Sequence, residues 1–298
     1  MKISTYLSIG DSIGIVSTAR KITKNELLPA IKLLEEWGLK PVLGNSIGAE
    51  ENQFAGTDNL RAADFQQMLD DPNIKAIWCA RGGYGTVRII DQLDFSKFKK
   101  SPKWIIGYSD ITVLHSHIHN FGIETIHANM CMEIGIKTEA TRNSIKTVLF
   151  GEKHQVSFAS ELPTLNRNGI AKGKLVGGNL SLLYSLIGSP SAIDSSGKIL
   201  FIEDLDEYLY HIDRMMINLK RSGMLQDLNG LIVGGMSDMR DNAIPFGKTA
   251  EEIVLDAVKE YNYPVCFNFP AGHIDDNRAL IMGREVQLTV DNTITLDF

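Results

Sequence analysis

The chain has 298 residues, of which 44% are hydrophobic and 22% are charged. This composition is typical of a globular protein with one large or two ordinary domains. The net charge of -6 comes without any cluster of Lys and Arg, which excludes the basic surface that nucleic-acid binding requires. Nowhere do about 18 apolar residues run together, and the amino terminus does not resemble a signal peptide. We therefore expect a cytoplasmic protein that binds neither nucleic acid nor membrane.

The first half of the chain alternates strand and helix patterns. In chain order, we predict a strand at 12–17, a helix from about 25, a strand from 40, a helix at 58–70, a strand at 74–80, a helix at about 86–93 and a strand from 104. Strands separated by single helices form a parallel sheet with helices on both faces. Ligand sites in such sheets lie at the carboxyl ends of the strands, where segments 81–83 and 107–109 fall.

The pattern changes near residue 150, where Gly, Ser, Asn and Lys begin to alternate with short apolar runs. We expect a linker at 151–168 between an amino-terminal domain at 1–150 and a carboxyl-terminal domain at 169–298. Strands of the second domain are predicted at 171–176, 198–203, 230–234, 264–267, 285–290 and 293–297. Its helices are predicted near 179–187, 208–222 and 249–260. This domain is therefore of mixed β and α character, with a small sheet or barrel.

The run from Trp104 to Leu114 carries the most functional information. A buried strand ends at Gly107, which permits close backbone approach, and Ser109 follows at the start of the next helix. This arrangement would present a serine nucleophile at the edge of the sheet, beside free helix amides. The alternative is an ordinary serine that caps the helix, which is common.

A serine hydroxyl needs an adjacent base, usually a histidine that is oriented by a carboxylate. His273 lies in a turn-rich loop directly after a strand, where catalytic groups are often mounted, although it could simply cap a turn. Glu203 ends an otherwise apolar strand. If it is buried it needs a partner such as an imidazole, and otherwise the acidic run that it begins is a solvated turn.

No metal or cofactor site is predicted. His115 and His119 share a helix face, but they lack an acidic third ligand, so a packed or solvated face is favoured. The Gly-rich turn at 82–85 lacks the Lys-Ser or Lys-Thr of a phosphate-binding loop. The cysteines lack any C-x-x-C spacing, so we expect buried thiols at three separate positions: Cys79, Cys131 and Cys266.

Several segments match one family in order and spacing: 55–58 with 61–65, 76–85, 103–110, 177–182, 201–204 and 271–273. They resemble the LD-carboxypeptidase family of serine peptidases, which comprises muramoyl-tetrapeptide carboxypeptidases and microcin-immunity relatives. The resemblance runs from about Gly10 to Gly283. It assigns the family's nucleophile to Ser109, its carboxylate to Glu203 and its histidine to His273. One departure is His-Ala-Asn at 127–129, where many members have His-Gly-Pro.

The resemblance implies a flavodoxin-like parallel sheet domain, followed by a mixed β/α domain of swivelling-barrel-like form. It also implies a cytoplasmic homodimer without a cofactor, which removes the terminal D-alanine of murein tetrapeptides during cell-wall recycling. One alternative is a microcin-immunity-like amidase that cleaves peptidyl nucleotides. Another is a binding module that keeps the fold without catalysis.

Serine-peptidase chemistry requires hydrogen-bond donors for the negative oxygen that develops on the substrate. We expect these donors to be the backbone amides of Asp110 and of Gly82 or Gly83. Arg81, or a nest of backbone amides near Gly82, is a candidate for binding the substrate's terminal carboxylate, but Arg81 could equally brace its turn. Asn179 is expected to shape the wall of the cleft between the domains and to bind substrate there, with packing of the following helix as the alternative.

Overall fold

The computed structural model describes residues 2–160 and 162–298. Within these residues the strands are β1 (Ser12–Val16), β2 (Lys40–Leu43), β3 (Ile74–Cys79), β4 (Trp104–Gly107), β5 (Thr125–His127), β6 (Gln155–Ala159), β7 (Gly169–Asn179), β8 (Ile199–Leu205), β9 (Gly230–Ser237), β10 (Val265–Cys266), β11 (Leu280–Met282), β12 (Glu285–Val290) and β13 (Thr293–Asp297). The α-helices are α1 (Leu28–Glu36), α2 (Asp58–Asp70), α3 (Ser96–Lys100), α4 (Thr112–His119), α5 (Glu139–Phe150), α6 (Leu180–Leu186), α7 (Leu209–Arg221) and α8 (Ala250–Ala257).

The first sheet contains five parallel strands in the order β2-β1-β3-β4-β5. This is the flavodoxin-like order, as the resemblance implies. Side chains alternate between the two faces, so that along β3 Ala76 and Trp78 pack in one apolar cluster and Ile77 and Cys79 in another. Helices α1 and α5 cover the first cluster, and α2, α3 and α4 cover the second. Both faces of the sheet are therefore buried.

The sixth strand of this sheet comes from the far end of the chain. Strand β11 pairs antiparallel with β5, with Leu280 opposite His127 and Met282 opposite Thr125. Its three residues are buried. A run this short carries no periodic signal, and the sequence pattern did not predict it.

The second sheet has the order β10-β9-β8-β7-β12-β13-β6. Strands β7 to β10 are parallel to one another and the remaining pairs are antiparallel, so the sheet is mixed, as expected. Strand β6 lies inside the segment that was predicted to be a linker. Only Val156 of this edge strand is fully buried, which is why its sequence is typical of a connecting segment.

The helix predicted at about 86–93 is absent. Two short 3-10 turns, Thr86–Arg88 and Ile90–Gln92, occupy this segment instead. The Thr86 amide donates to Asp110 Oδ2 at 2.8 Å, and the Thr86 hydroxyl lies 2.8 Å from that of Thr18. Tertiary partners therefore hold the start of the segment, and local periodicity could not indicate them.

The two domains meet where α4 of the first domain packs against β7 and α6 of the second. The backbone amide of Asn179, at the end of β7, donates to Thr112 Oγ1 at 3.0 Å. A Cβ atom on Gly178 would lie 2.5 Å from the same Oγ1. Glycine therefore permits the close approach of α4 to β7.

None of the helices in the described residues is long and apolar enough to cross a bilayer.

His115 is a buried neutral histidine that anchors β4. Its Nε2 donates to Gly107 O at 2.9 Å, and its Nδ1 lies 2.8 Å from Thr125 Oγ1. Burial lowers the pKa of His115 from 6.5 to about 4. As the pH falls below 6.5, the unfolded chain gains a proton that the folded chain does not.

We expect this histidine to make folding less stable in acid. The free energy of unfolding is unaffected by the protonation of His115 above pH 6.5, and it decreases as the pH falls from 6.5 towards 4. The loss between pH 7 and pH 5 is about 2 kcal/mol. Urea unfolding of wild type and His115→Gln at both pH values would measure it. Equal pH dependence in the two proteins would contradict the assignment.

Candidate active site

Ser109 lies on a sharp turn between β4 and α4. Its φ is 60°, a left-handed conformation that non-glycine residues rarely adopt and that is typical of strained functional turns. A Cβ atom on Gly107 would lie 2.7 Å from Ile111 Cγ1, so this glycine permits the tight turn. The residue that caps α4 is Ile111, without a side-chain hydrogen bond. The hydroxyl of Ser109 therefore does not cap that helix.

Glu203 and His273 lie together across the domain interface from Ser109. Glu203 is fully buried near the end of β8, and its Oε2 lies 2.6 Å from Nδ1 of His273. On the other side of the ring, Nε2 lies 3.1 Å from Ser109 Oγ. A carboxylate only accepts hydrogen bonds, so Nδ1 carries the proton and Nε2 can accept the proton of the serine. The structure thus brings all three predicted side chains into one hydrogen-bonded chain.

The loop that carries His273 is fixed from several sides. Ser237 Oγ donates to the His273 carbonyl at 2.7 Å, and the Gly272 amide donates to the buried Asn277 Oδ1 at 2.9 Å. The imidazole also packs on Tyr108, with the ring centroids 4.7 Å apart. Sequence reasoning did not single out Tyr108, although it lies directly before the serine. These contacts position the imidazole without help from a ligand.

Two opposing effects set the proton affinity of His273. Burial alone would lower its pKa, but the charge of Glu203, its hydrogen bond and the nearby charge of Asp204 raise the pKa above the ordinary 6.5. Asp204 is itself buried, and burial together with the charge of Glu203 raises its pKa to about 7. The imidazole is therefore a stronger base than an ordinary histidine.

The glycine turn predicted to supply amides lies against the serine turn. A Cβ atom on Gly82 would lie 3.6 Å from Asp110 Cβ and 2.9 Å from Met130 Cε. Gly83 has a φ of 101°. Gly82, Gly83 and Ser109 line one cleft of about 510 Å³, together with His273. The backbone of both turns therefore borders the same cleft as the Ser109 hydroxyl.

The same cleft includes Arg81 and Asn179. Arg81 Nη1 donates to the Lys21 carbonyl at 2.9 Å, which favours the bracing interpretation. The side chain of Asn179 caps α6 through Leu182 and donates to Asp204 Oδ1 at 3.0 Å. Its amide group is therefore used to hold the cleft wall and the following helix, as the packing alternative describes.

The departure at 127–129 is in the core behind the cleft. His127, Ala128 and Asn129 are all buried. Asn129 Nδ2 donates to the carbonyls of Met130 and Met132 at 2.8 and 3.2 Å. Both methionines line the cleft, so this segment shapes the cleft from behind.

Among the described residues, the histidines and cysteines form no metal centre. No group of three His, Cys, Asp or Glu side chains, including any with His115 or His119, could hold a metal ion there. Burial raises the pKa of each cysteine thiol, which keeps it protonated. Cys79, Cys131 and Cys266 are free and buried, as predicted.

Comparison with protein families decides the identity. Residues 13–128 match the LD-carboxypeptidase N-terminal domain, and residues 172–288 match the LD-carboxypeptidase C-terminal domain. The chain is also 37% identical to the probable murein peptide carboxypeptidase of Bacillus subtilis, over 98% of this chain and 93% of that protein. The chain belongs to the LD-carboxypeptidase family. The resemblance drawn from its motifs is confirmed.

Other members of the LD-carboxypeptidase family extend the comparison. The muramoyltetrapeptide carboxypeptidase of Oxalobacter formigenes superposes with a TM-score of 0.87, at 28% identity, over 96% of this chain and 98% of that one. This match confirms the two-domain α/β fold. The microcin C7 self-immunity protein of Escherichia coli is 26% identical over 96% of this chain and 92% of that protein.

The raised pKa of His273 makes a prediction that does not depend on activity. We expect its ring protons to titrate above pH 6.5 in the wild type, as measured by NMR. In Glu203→Gln the charge is gone while the burial remains, so the pKa should fall below the wild-type value. An unchanged pKa in this variant would show that Glu203 does not act on the imidazole.

Gly272 makes a second prediction. Its φ is 110°, and a Cβ atom there would lie 2.8 Å from both Cβ and Oε2 of Glu203. Gly272→Ala should therefore displace Glu203 and lower the pKa of His273. Gly188→Ala is the matched control, because Gly188 has a φ of 84° but open space around it. Both variants should lose about 1 kcal/mol to backbone strain, but only Gly272→Ala should change the His273 titration.

Proposed function

We propose that this protein is a serine LD-carboxypeptidase that removes the terminal D-alanine of murein tetrapeptides. The observation that carries the proposal is the unbroken hydrogen-bonded chain from Ser109 through His273 to Glu203, with distances of 3.1 and 2.6 Å. Such a chain activates a hydroxyl for attack on an acyl group. Relatives named for murein peptides and muramoyltetrapeptide support the substrate.

In the first half of the proposed reaction, Ser109 Oγ attacks the carbonyl of the L,D amide bond while His273 Nε2 accepts its proton. Glu203 stabilises the imidazolium that forms. The negative oxygen of the tetrahedral intermediate accepts hydrogen bonds from the backbone amides of Asp110 and of Gly82 or Gly83, and one such donor lowers the barrier by about 3 kcal/mol. His273 then protonates the amine of D-alanine, which leaves while the acyl group stays on Ser109.

In the second half, a water molecule gives a proton to His273 Nε2 and attacks the acyl ester. The bond to Ser109 Oγ breaks, Oγ regains the proton, and the shortened peptide leaves. His273 must be neutral to accept each proton. Its raised pKa therefore sets the acid limit of activity above the ordinary imidazole value.

The proposal extends to domain organisation and cellular setting. A nucleophile domain at 1–150 and a domain at 169–298 that carries Glu203 and His273 would close the cleft between them. In line with the family resemblance, we propose a homodimer that acts in the cytoplasm on murein peptides released for recycling.

Loss of the serine hydroxyl should abolish D-alanine release. We expect Ser109→Ala to lower kcat on the order of 10⁶-fold, as for other activated serines, with release followed by chromatography. Ser116→Ala is the matched control on α4, because the Ser116 hydroxyl is buried without a hydrogen-bond partner among the described residues. This control should keep wild-type activity.

The same assay separates the alternatives. The relationship to the microcin C7 self-immunity protein, whose structure is known in complex with aspartyl sulfamoyl adenosine, favours such an acyl-sulfamoyl adenylate as the second substrate to test. Cleavage of that compound without D-alanine release would identify a peptidyl nucleotide, and not a murein peptide, as the substrate. Equal function of wild type and Ser109→Ala in the cell would instead indicate a binding module.

A further inference from the structure

If the protein has the proposed function, a group in the cleft must recognise the free carboxyl end of the peptide. In a carboxypeptidase substrate, a single Cα atom separates the terminal carboxylate from the nitrogen of the scissile amide. Consecutive Cα atoms lie about 3.8 Å apart. The carboxylate therefore lies about one residue's length from the scissile carbonyl, and a cation that binds it lies one hydrogen bond further along the cleft.

Two guanidinium groups are present among the described residues that line the cleft, those of Arg20 and Arg81. Arg81 is half-buried and already donates to the Lys21 carbonyl. Arg20 is exposed, and its guanidinium forms no hydrogen bond or ion pair within residues 2–160 and 162–298. Of these two, Arg20 is the group whose hydrogen-bonding capacity is free for a ligand.

The backbone of Arg20 is held beside the glycine turn. Its amide donates to the Gly82 carbonyl at 3.4 Å, and its carbonyl accepts from Ser17 Oγ at 2.6 Å. It also forms an isolated antiparallel bridge with Phe54. Arg20 follows β1, and the glycine turn follows the neighbouring β3. This is the point in the strand order where flavodoxin-like sheets bind ligands.

The side chain of Arg20 lies directly over Gly83. Both Cδ and Nε of Arg20 would lie 2.6 Å from a Cβ atom on Gly83, so the side chain packs where this glycine has none. The adjacent Gly82 lies against Asp110, next to the serine. The Arg20 side chain thus lies beside the turn that supplies the proposed oxyanion amides, with its guanidinium open to the cleft.

We propose that Arg20 binds the terminal carboxylate of the peptide and so makes the enzyme selective for a free carboxyl end. A planar guanidinium pairs with a carboxylate through two parallel hydrogen bonds, which fix the position as well as the charge. Sequence reasoning missed Arg20 because it lies about 60 residues before the glycine turn and in none of the family motifs quoted above.

The test compares two substrates, the murein tetrapeptide that ends in D-alanine and the same peptide that ends in D-alaninamide. We expect Arg20→Gln to lower kcat/KM for the acid about 10- to 100-fold, mainly through KM, and to leave the amide within about twofold. Arg20→Lys should keep part of the preference for the acid. Arg81→Gln is the matched control, and it should change both substrates by the same factor because it braces the turn.

The ratio of the two kcat/KM values does not depend on the fraction of folded enzyme. An unchanged preference in Arg20→Gln, or loss of preference in Arg81→Gln instead, would overturn the inference while leaving the proposed function intact. Failure of the wild type to release D-alanine from the tetrapeptide would overturn the proposed function, and this inference with it.

Discussion

The close contact of α4 with the end of β7 is the constraint on which the site depends. Thr112 lies three residues after Ser109, and Asn179 pairs in register with Glu203 on β8. The hydrogen bond from the Asn179 amide to Thr112 Oγ1 therefore ties the serine turn to the carboxylate strand. The missing side chain of Gly178 makes this approach possible. The two domains are thus held in the register that catalysis would require.

The end of β8 places two acidic side chains on opposite faces, as successive strand residues do. Glu203 faces the loop that carries His273, whereas Asp204 accepts hydrogen bonds from Asn179 Nδ2 and from the Ser181 amide. Buried carboxylates are costly unless they are paired. Each acid therefore fixes a different wall of the cleft. The charges of both acids raise the pKa of the His273 imidazole.

The sequence predicted element bounds and site residues most accurately where the signal is local to one segment. Helix α2 has the predicted bounds because Thr57 caps its start and Pro72 follows its end, and strands β12 and β13 have theirs because buried residues alternate along them. Ser109, Glu203 and His273 could be predicted because each one lies near the end of a predicted strand and also within a family motif. Strands β6 and β11 and the 3-10 turns after Gly85 depend on tertiary partners, which local periodicity does not encode. Arg20 and Thr112 were missed for the same reason, since their roles come from residues about 60 or more positions away.

The return of β11 to the first sheet has a consequence for biosynthesis. The edge beside β5 stays unpaired until residues 280–282 have left the ribosome, although Ser109 emerges much earlier. His273 lies just upstream of that closing strand. Completion of the sheet and delivery of the imidazole to the serine are therefore nearly simultaneous, and a truncated nascent chain would hold neither a finished fold nor a working nucleophile.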